Sequence, residues 1–396
     1  MNQKPTGKES VGDPAGSIMA IYLDNAATTK PCQAAISAIQ QCLTENYGNP
    51  SSLHHAGLQA QLAVDGVRRT LASILACEPG CICFTSGATE SNNLAVRGVA
   101  GAYGKHKPRV ITTTVEHASV RESFQQLEQA GFEVIRIAPD SHGVFDPDAF
   151  TEAVDDRTCL ISMMLVNNET GHILPVRRVF YSAKRKNPQI ITHCDAVQGF
   201  LKVPIRISEL KADLLSLSGH KIHAAKGVGA LYVRKGVRLK PLLFGGEQEH
   251  GIRPGTEPVP LIAGMGAAAA ELAPTLAQRS QRAAELRAYL LEQLSPLPGI
   301  TLHSPEDGSP YILSFSVANI RSEIMLHFLE SKGIYVSSGS ACSKGANSGV
   351  LEQFGATRAQ ADSAIRVSLC PDNVKHELRS LAQAIAEGQA TLKTAR

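Results

Sequence analysis

Between residues 81 and 233, short apolar runs alternate with stretches of helical spacing, and this alternation limits the fold more than any other property of the chain. The runs are Cys81 to Phe84, Val110 to Val115, Phe132 to Ile137, Cys159 to Val166, Gln189 to Cys194, Leu214 to Leu217 and Val228 to Val233. Glu90 to Val99 and residues 119–130 carry helical spacing between them. Strands that alternate with helices pair in parallel, and the crossovers cover both faces of the sheet. The pattern therefore predicts an α/β fold with a mostly parallel sheet. Ahead of it, Ile21 to Leu23 reads as a strand and Cys32 to Leu43 as a helix. Leu58 to Leu75 reads as a second helix, with Leu62, Val64, Val67, Leu71 and Leu75 near one stripe. Behind it, a helix from Leu261, interrupted at Pro274 and resuming from Ala277 to Leu294, leads to strands over 310–318 and 334–336. A chain of 396 residues has room for a large domain and a smaller one.

The ends of the apolar runs carry the chemistry. The turn Leu217-Ser218-Gly219-His220-Lys221 lies between two of them. A lysine shielded from water there has its ammonium disfavoured and its pKa lowered, and the free amine forms a Schiff base with a carbonyl. A solvated loop lysine is the plain alternative, and the company Lys221 keeps decides between them. Thr89, His117, Asn168 and Asp195 also lie just past the end of an apolar run. In open α/β sheets that carboxyl edge is where ligands bind. Singly, each has an ordinary explanation: Asn168 as a turn cap, His117 as a satisfied polar side chain, Asp195 as the N-cap of a helix from Ala196. Five such residues on one edge argue for a site.

Gly87, in Thr85-Ser86-Gly87-Ala88-Thr89, permits a tight turn into the helix behind it, whose first N–H groups suit an anion. No G-x-G-x-x-G follows the first strand and no Walker pattern occurs, so neither a dinucleotide nor ATP is favoured, and a phosphate on a smaller cofactor is. A Schiff-base lysine, an anion pocket at a helix start and an acid on a neighbouring strand edge together describe pyridoxal phosphate. Its ring is an electron sink when an acid keeps the pyridine nitrogen protonated.

Composition removes other classes. A net charge of +3 is too small to argue for nucleic acid, and 43% hydrophobic with 19% charged residues describes a soluble globular protein. The nine cysteines are odd in number and scattered, which fits a reducing, cytosolic setting rather than a disulfide framework. Cys77, Cys81 and Cys83 lack zinc-site spacing and read as small residues near a strand, so no intrinsic metal is expected. The longest apolar window, Val259 to Ala270, contains Pro260 and is too short to span a bilayer; no membrane association is expected. Residues 1–18 are polar, without an apolar stretch, and read as a flexible tail before a fold that begins near Met19.

Nine segments, in order, resemble the cysteine desulfurases, of the class V aminotransferase branch of fold type I pyridoxal-phosphate enzymes. They are Tyr22-Leu23-Asp24-Asn25-Ala26-Ala27-Thr28-Thr29, Tyr47-Gly48-Asn49-Pro50-Ser51-Ser52, Thr85-Ser86-Gly87-Ala88-Thr89-Glu90-Ser91, Thr114-Val115-Glu116-His117, Val166-Asn167-Asn168-Glu169, Asp195-Ala196-Val197-Gln198, Ser216-Leu217-Ser218-Gly219-His220-Lys221, Arg253-Pro254-Gly255-Thr256 and Ser337-Ser338-Gly339-Ser340-Ala341-Cys342. The resemblance implies a large domain over 32–260 with a seven-stranded, mostly parallel sheet. It also implies an N-terminal segment, 19–31, packed with a small α+β domain over 261–396 that carries a mobile Cys342 loop.

By the same resemblance Lys221 is the Schiff-base lysine, Asp195 pairs with the pyridine nitrogen, and Gln198 meets the ring oxygen. His117 stacks on the ring and assists proton transfer. Ala88, Thr89, Ser218 and His220 hold the phosphate, joined by Thr256 from the second subunit of a homodimer. Asn168 and Arg366 take the substrate carboxylate, and Cys342 is the nucleophile. The implied reaction converts L-cysteine to L-alanine and a persulfide on Cys342. The sulfur would go to an iron–sulfur scaffold protein, with Cys342 as a transient cluster ligand, or to a tRNA-thiolation enzyme. A selenocysteine lyase or another class V aminotransferase or lyase is the alternative. Ala224-Ala225 before Lys226, and Cys370 where a Gly is common, depart from the family pattern, as do Ser343-Lys344-Gly345-Ala346-Asn347, which leave the acceptor open.

Overall fold

In the computed structural model, which describes residues 20–338 and 349–392, the alternation becomes one large sheet and its covering helices. The 1–18 tail, Met19 and Cys342 lie outside the described residues. β1 (Ile21–Tyr22) leads to α1 (Gln33–Thr44) and α2 (His55–Leu75). Then come β2 (Ile82–Thr85), α3 (Ala88–Tyr103), β3 (Arg109–Thr113), α4 (Ala118–Gln129), β4 (Glu133–Ile137), α5 (Pro147–Ala153), β5 (Thr158–Met164), α6 (Val176–Lys186), β6 (Ile191–Asp195), α7 (Ile207–Leu210), β7 (Leu214–Ser218) and β8 (Gly229–Val233). The chain continues through α8 (Val259–Leu272), α9 (Leu276–Leu294), β9 (Ile300–Leu302), β10 (Ile312–Val317), α10 (Ser322–Ser331), β11 (Ile334–Tyr335), β12 (Ser337–Ser338), α11 (Val350–Gln353), α12 (Arg358–Asp362), β13 (Ala364–Ser368) and α13 (Lys375–Thr391).

The large sheet has the order β2-β8-β7-β6-β5-β3-β4, and β8 alone runs against the others. A parallel crossover needs a dozen or more residues, usually a helix. The link from β7 to β8 is shorter than that, so β8 returns antiparallel. β5, β6, β7 and β8 are buried along their whole length, and β4, with Glu133 and Arg136 exposed, forms an edge. One face packs against α3 and α4 through Leu94, Val96, Val120 and Phe124. The other packs against α6 and α8, with Val179, Phe180, Ile262 and Met265 fully buried. Burying side chains of this size contributes about 1.5–3 kcal/mol each.

A second core lies under the antiparallel sheet β12-β13-β10-β9, where Phe315, Val367, Leu290 and Leu381 are fully buried together. The segment after residue 20 crosses between the two sheets. Ile21 and Leu23 donate to Gly333 and Tyr335, and Asn25 donates to Ser368; Thr29 and Cys32 donate to His220 and His223 on the far side.

Three local expectations change. The helix after β2 opens at Ala88, two residues earlier than its apolar spacing suggests, which puts Ala88 and Thr89 in its first turn. No helix starts at Ala196, where the chain makes a turn. Ser337 and Ser338 form a strand paired with β13. The apolar run at 259 is also longer than its composition suggested. Val259–Leu294 continues through a 3₁₀ turn as 36 residues, long and apolar enough to cross a membrane. In the fold it lies against α1 and α2, with Ile262, Met265, Ala268 and Ala269 fully buried.

Candidate active site

Because β2, β3, β5, β6 and β7 point the same way, their carboxyl ends share one edge, and a cavity of about 610 Å³ opens there. Ala88, Thr89, His117, Asn168, Asp195, Gln198, Ser218, His220, Lys221 and Arg366 all line it. Thr256 does not, and sits in an exposed stretch before α8.

Lys221 closes a 3₁₀ turn directly after β7. Its Nζ donates to the Ala26 carbonyl at 2.5 Å and the Ala27 carbonyl at 2.7 Å, so the N-terminal segment holds the amine over the strand ends.

Asp195 ends β6 and is buried. Asn92 Nδ2 of α3 donates to Oδ2 at 2.8 Å, and the Val197 amide donates to Oδ1 at 3.0 Å. Asn92 Nδ2 also donates to the Ser119 hydroxyl at 2.8 Å, which lies 2.9 Å from His117 Nδ1. His117 caps α4, and its Nδ1 accepts the Ser119 amide at 3.2 Å. With Nδ1 an acceptor, the neutral ring carries its proton on Nε2. Burial holds the His117 pKa below its ordinary value despite the opposing pull of Asp195, with Lys221 and Arg121 lowering it further. The ring is therefore neutral at neutral pH. Behind this network Glu116 accepts from Thr113 at 2.7 Å and from the Met164 amide at 2.9 Å. Burial pushes its carboxyl up to about 8, so it is protonated at neutral pH.

The opposite end gathers the start of α3, a hydroxyl and a histidine. Gly87 precedes α3 at φ 150°, a conformation L side chains rarely adopt, and a Cβ there would meet nothing within 4 Å. A Cβ on Gly229 would stand 2.7 Å from the Gly87 Cα, so the two backbones meet where no side chain fits. The opening turn of α3 leaves N–H groups without intrahelical acceptors. The Ser218 hydroxyl is buried with no hydrogen-bond partner among the described residues. His220 Nδ1 lies 3.2 Å from the Thr28 hydroxyl, and burial, with Lys221, Lys226 and Lys202 nearby, pushes its pKa down to about 4. Glu90 folds back onto the Ser86 amide at 2.7 Å and pairs with Arg253 at 2.9 Å.

Arg366, mid-strand in β13, is buried. Its Nη1 donates to the Asn168 carbonyl at 2.9 Å and its Nη2 to Asp24 at 2.9 Å, while Nε has no partner among the described residues. The small sheet thus sends a guanidinium into the cavity beside Asn168.

Sequence reasoning missed Asn92, Ser119, Glu90, Lys202, Lys226 and Asp24. Asn92 and Ser119 are buried polar residues on helices, and only their position just after the β2 and β3 strand ends hinted at the site.

The Aminotransferase class-V family matches residues 21–381. A protein named Cysteine desulfurase IscS, from Methanosarcina thermophila, is 39% identical over 372 residues, 93% of this chain and 91% of that one. A solved structure titled NIFS-LIKE PROTEIN is 38% identical with a TM-score of 0.90, over 94% of this chain and 100% of that chain. Another, titled SspA in complex with cysteine, is 32% identical with a TM-score of 0.79, over 89% of this chain and 100% of that chain.

Proposed function

The chain belongs to the class-V aminotransferases and within them to the cysteine desulfurases, and from that premise we propose that it holds pyridoxal phosphate at the strand ends and converts L-cysteine to L-alanine and a persulfide on Cys342. The observation that carries this reading is the convergence on one cavity of the Lys221 amine, the Asp195 carboxylate and the Ser218 hydroxyl, which has no partner among the described residues.

The residues fit the cofactor. Ser218, His220 and the first turn of α3 with Ala88 and Thr89 would hold its phosphate; Thr256 would reach it from the partner subunit of a homodimer. Asp195, fixed by Asn92 and Val197, would keep the pyridine nitrogen protonated. Gln198 would meet the ring oxygen, and His117 would stack on the ring. When bound, pyridoxal phosphate supplies the electron sink that lets the cysteine Cα proton leave and weakens its Cβ–S bond.

Arg366 and Asn168 orient the substrate through its carboxylate, a task suited to the planar donor fork. Lys221 Nζ takes the Cα proton. The Cys342 Sγ thiolate attacks the substrate sulfur: an S–S bond forms, the Cβ–S bond breaks, Cβ gains a proton, and Lys221 returns a proton to Cα to give alanine. The enzyme thiol is oxidised to the persulfide as the substrate carbon is reduced, so no outside oxidant is needed. Cys342 then passes its sulfur to an iron–sulfur scaffold or a tRNA-thiolation enzyme. The division into 32–260 and 261–396 belongs to the same proposal.

The test is Cys342→Ser. The variant should keep the absorbance of bound cofactor and its change on adding cysteine, yet release alanine at below about 1% of the parental rate, because a hydroxyl is far less acidic than a thiol and a poor nucleophile toward sulfur. Parental alanine release would overturn the persulfide route.

A further inference from the structure

We propose that Lys202 is a positioning residue that fixes which end of the Gln198 amide faces the site. The turn after Asp195 folds back on itself: Phe200 donates to Ala196 at 2.7 Å, Val203 to Gly199 at 2.9 Å, and Leu201 sits at φ 57°. That left-handed residue turns the Lys202 side chain inward beneath Gln198. Lys202 is 8% exposed, its Nζ donates to Gln198 Oε1 at 3.0 Å, and it stands 5.9 Å from the centre of the Tyr311 ring. Gln198 Nε2 donates to the Ala26 carbonyl at 2.9 Å, the carbonyl that also receives Lys221.

The two ends of an amide have nearly the same shape, so packing alone does not choose between them. Lys202 does choose when it is protonated, because an ammonium donates and cannot accept. Flipping Gln198 would set an NH₂ against the ammonium and an oxygen against the Ala26 carbonyl, leaving buried groups unpaired on both sides. The orientation that remains presents a second N–H of Gln198, which lines the cavity. An acceptor oxygen on the bound ring would find a donor there. The inference therefore rests on the reading that Gln198 meets the ring oxygen of pyridoxal phosphate.

A purely structural lysine is the plain alternative, and the surroundings weigh against it. Burial, then the charge of Lys221, pushes the Lys202 pKa down to about 7, so the fold tolerates a cation at a place that disfavours one. A chamber of about 20 Å³ beside Lys202, Tyr311 and Lys221 has room for one water, and the Tyr311 hydroxyl has no partner among the described residues. An apolar side chain of the same length would fill the site without either demand.

The experiment is a double-mutant cycle on the full chain: parent, Lys202→Met, Gln198→Ala and the double variant. The readouts are the dissociation constant for pyridoxal phosphate added to the apo protein and the absorption maximum of the bound cofactor, both at pH 6, below the Lys202 pKa. Lys202→Met should weaken binding roughly tenfold and move the absorption maximum in the same sense as Gln198→Ala, as the loss of one hydrogen bond allows. In the Gln198→Ala background it should change either readout less than about twofold, since coupled residues are not additive. Equal effects in both backgrounds, or no effect in the parent, overturn the proposal. If Lys202→Met does not fold, Lys202→Gln runs the same cycle, because a neutral amide accepts as well as donates and removes the bias. A parent that takes up no pyridoxal phosphate overturns the reading beneath the proposal, and the proposal with it.

Discussion

At the Asp195 end of the cavity both carboxylate oxygens are already taken, one by Asn92 and one by the Val197 amide, whereas at the Ser218 end a buried hydroxyl has no partner among the described residues. The first end is assembled by the fold: β6 supplies the acid, α3 the amide that clamps it, and the N-cap of α4 the histidine that accepts from Ser119. The second is left open by the fold, with a glycine in place of a side chain and a hydroxyl in place of a bonded pair. An unmade buried hydrogen bond costs about 1–3 kcal/mol, recovered when a ligand arrives. Under the proposed function, the difference assigns orientation to the acid end and capture to the Ser218 end. The electronics of the site are set in advance, while part of the affinity is held in reserve.

The strongest way to break this comparison is Lys221→Ala, because Lys221 stands between the two ends. Turnover should be abolished, with cofactor still retained through Thr89, Ser218 and His220; alanine formation within about tenfold of the parent would refute its double role as Schiff-base amine and proton acceptor. Next is Asp195→Asn. The amide oxygen can still accept from either Asn92 or Val197, while its NH₂ faces the other donor, so the fold should hold with a modest loss of stability. The rate should nevertheless fall about ten- to a hundredfold, since a charge-assisted hydrogen bond is worth roughly 1.5–3 kcal/mol. An unchanged rate with cofactor bound would assign the acid's task elsewhere.

Ser218→Ala sharpens the contrast. Removing an unpaired buried hydroxyl should leave Tm unchanged or higher while weakening pyridoxal phosphate binding about three- to tenfold; a lower Tm with unchanged binding would mean the hydroxyl serves the fold. The smallest effect on activity belongs to Glu116, whose change is read in stability instead. Burial, with a contribution from Asp195, lifts its carboxyl from 4.5 to about 8 in the folded chain. Between those values the folded state binds a proton that the unfolded state does not, so stability falls as pH rises through that window. Glu116→Gln should flatten this fall, read as a smaller Tm difference between pH 5 and pH 8.5 than in the parent.

Much of the site could be read from the order of residues, because a strand's end is marked where an apolar run stops. His117, Asn168, Asp195 and Lys221 were found that way, and Gly87 by its turn chemistry. Arg366 was not, since nothing local distinguishes an arginine in a buried strand; only the resemblance pointed to it. Asn92 and Ser119 look like ordinary polar positions on helices until α3 and α4 pack side by side. Lys202 depends on a left-handed Leu201, which no propensity predicts. The long apolar run from Val259 shows the reverse problem: its composition suits a lipid phase as well as a core, and packing against α1 and α2 is what distinguishes the two.

The bridge made by residues 20–32 has a consequence for the order in which the molecule is built. β1 pairs with β11 and Asn25 donates to Ser368, contacts of very long sequence separation. Contacts of such long separation close late. During synthesis all seven strands of the large sheet have emerged by residue 233, and with them His220 and His223, which receive Thr29 and Cys32, whereas the anchors of β1 and Asn25 come later, at 334–335 and 368. A growing chain thus carries the strands of its large sheet before it can fix the near end of the segment whose carbonyls hold the Lys221 amine.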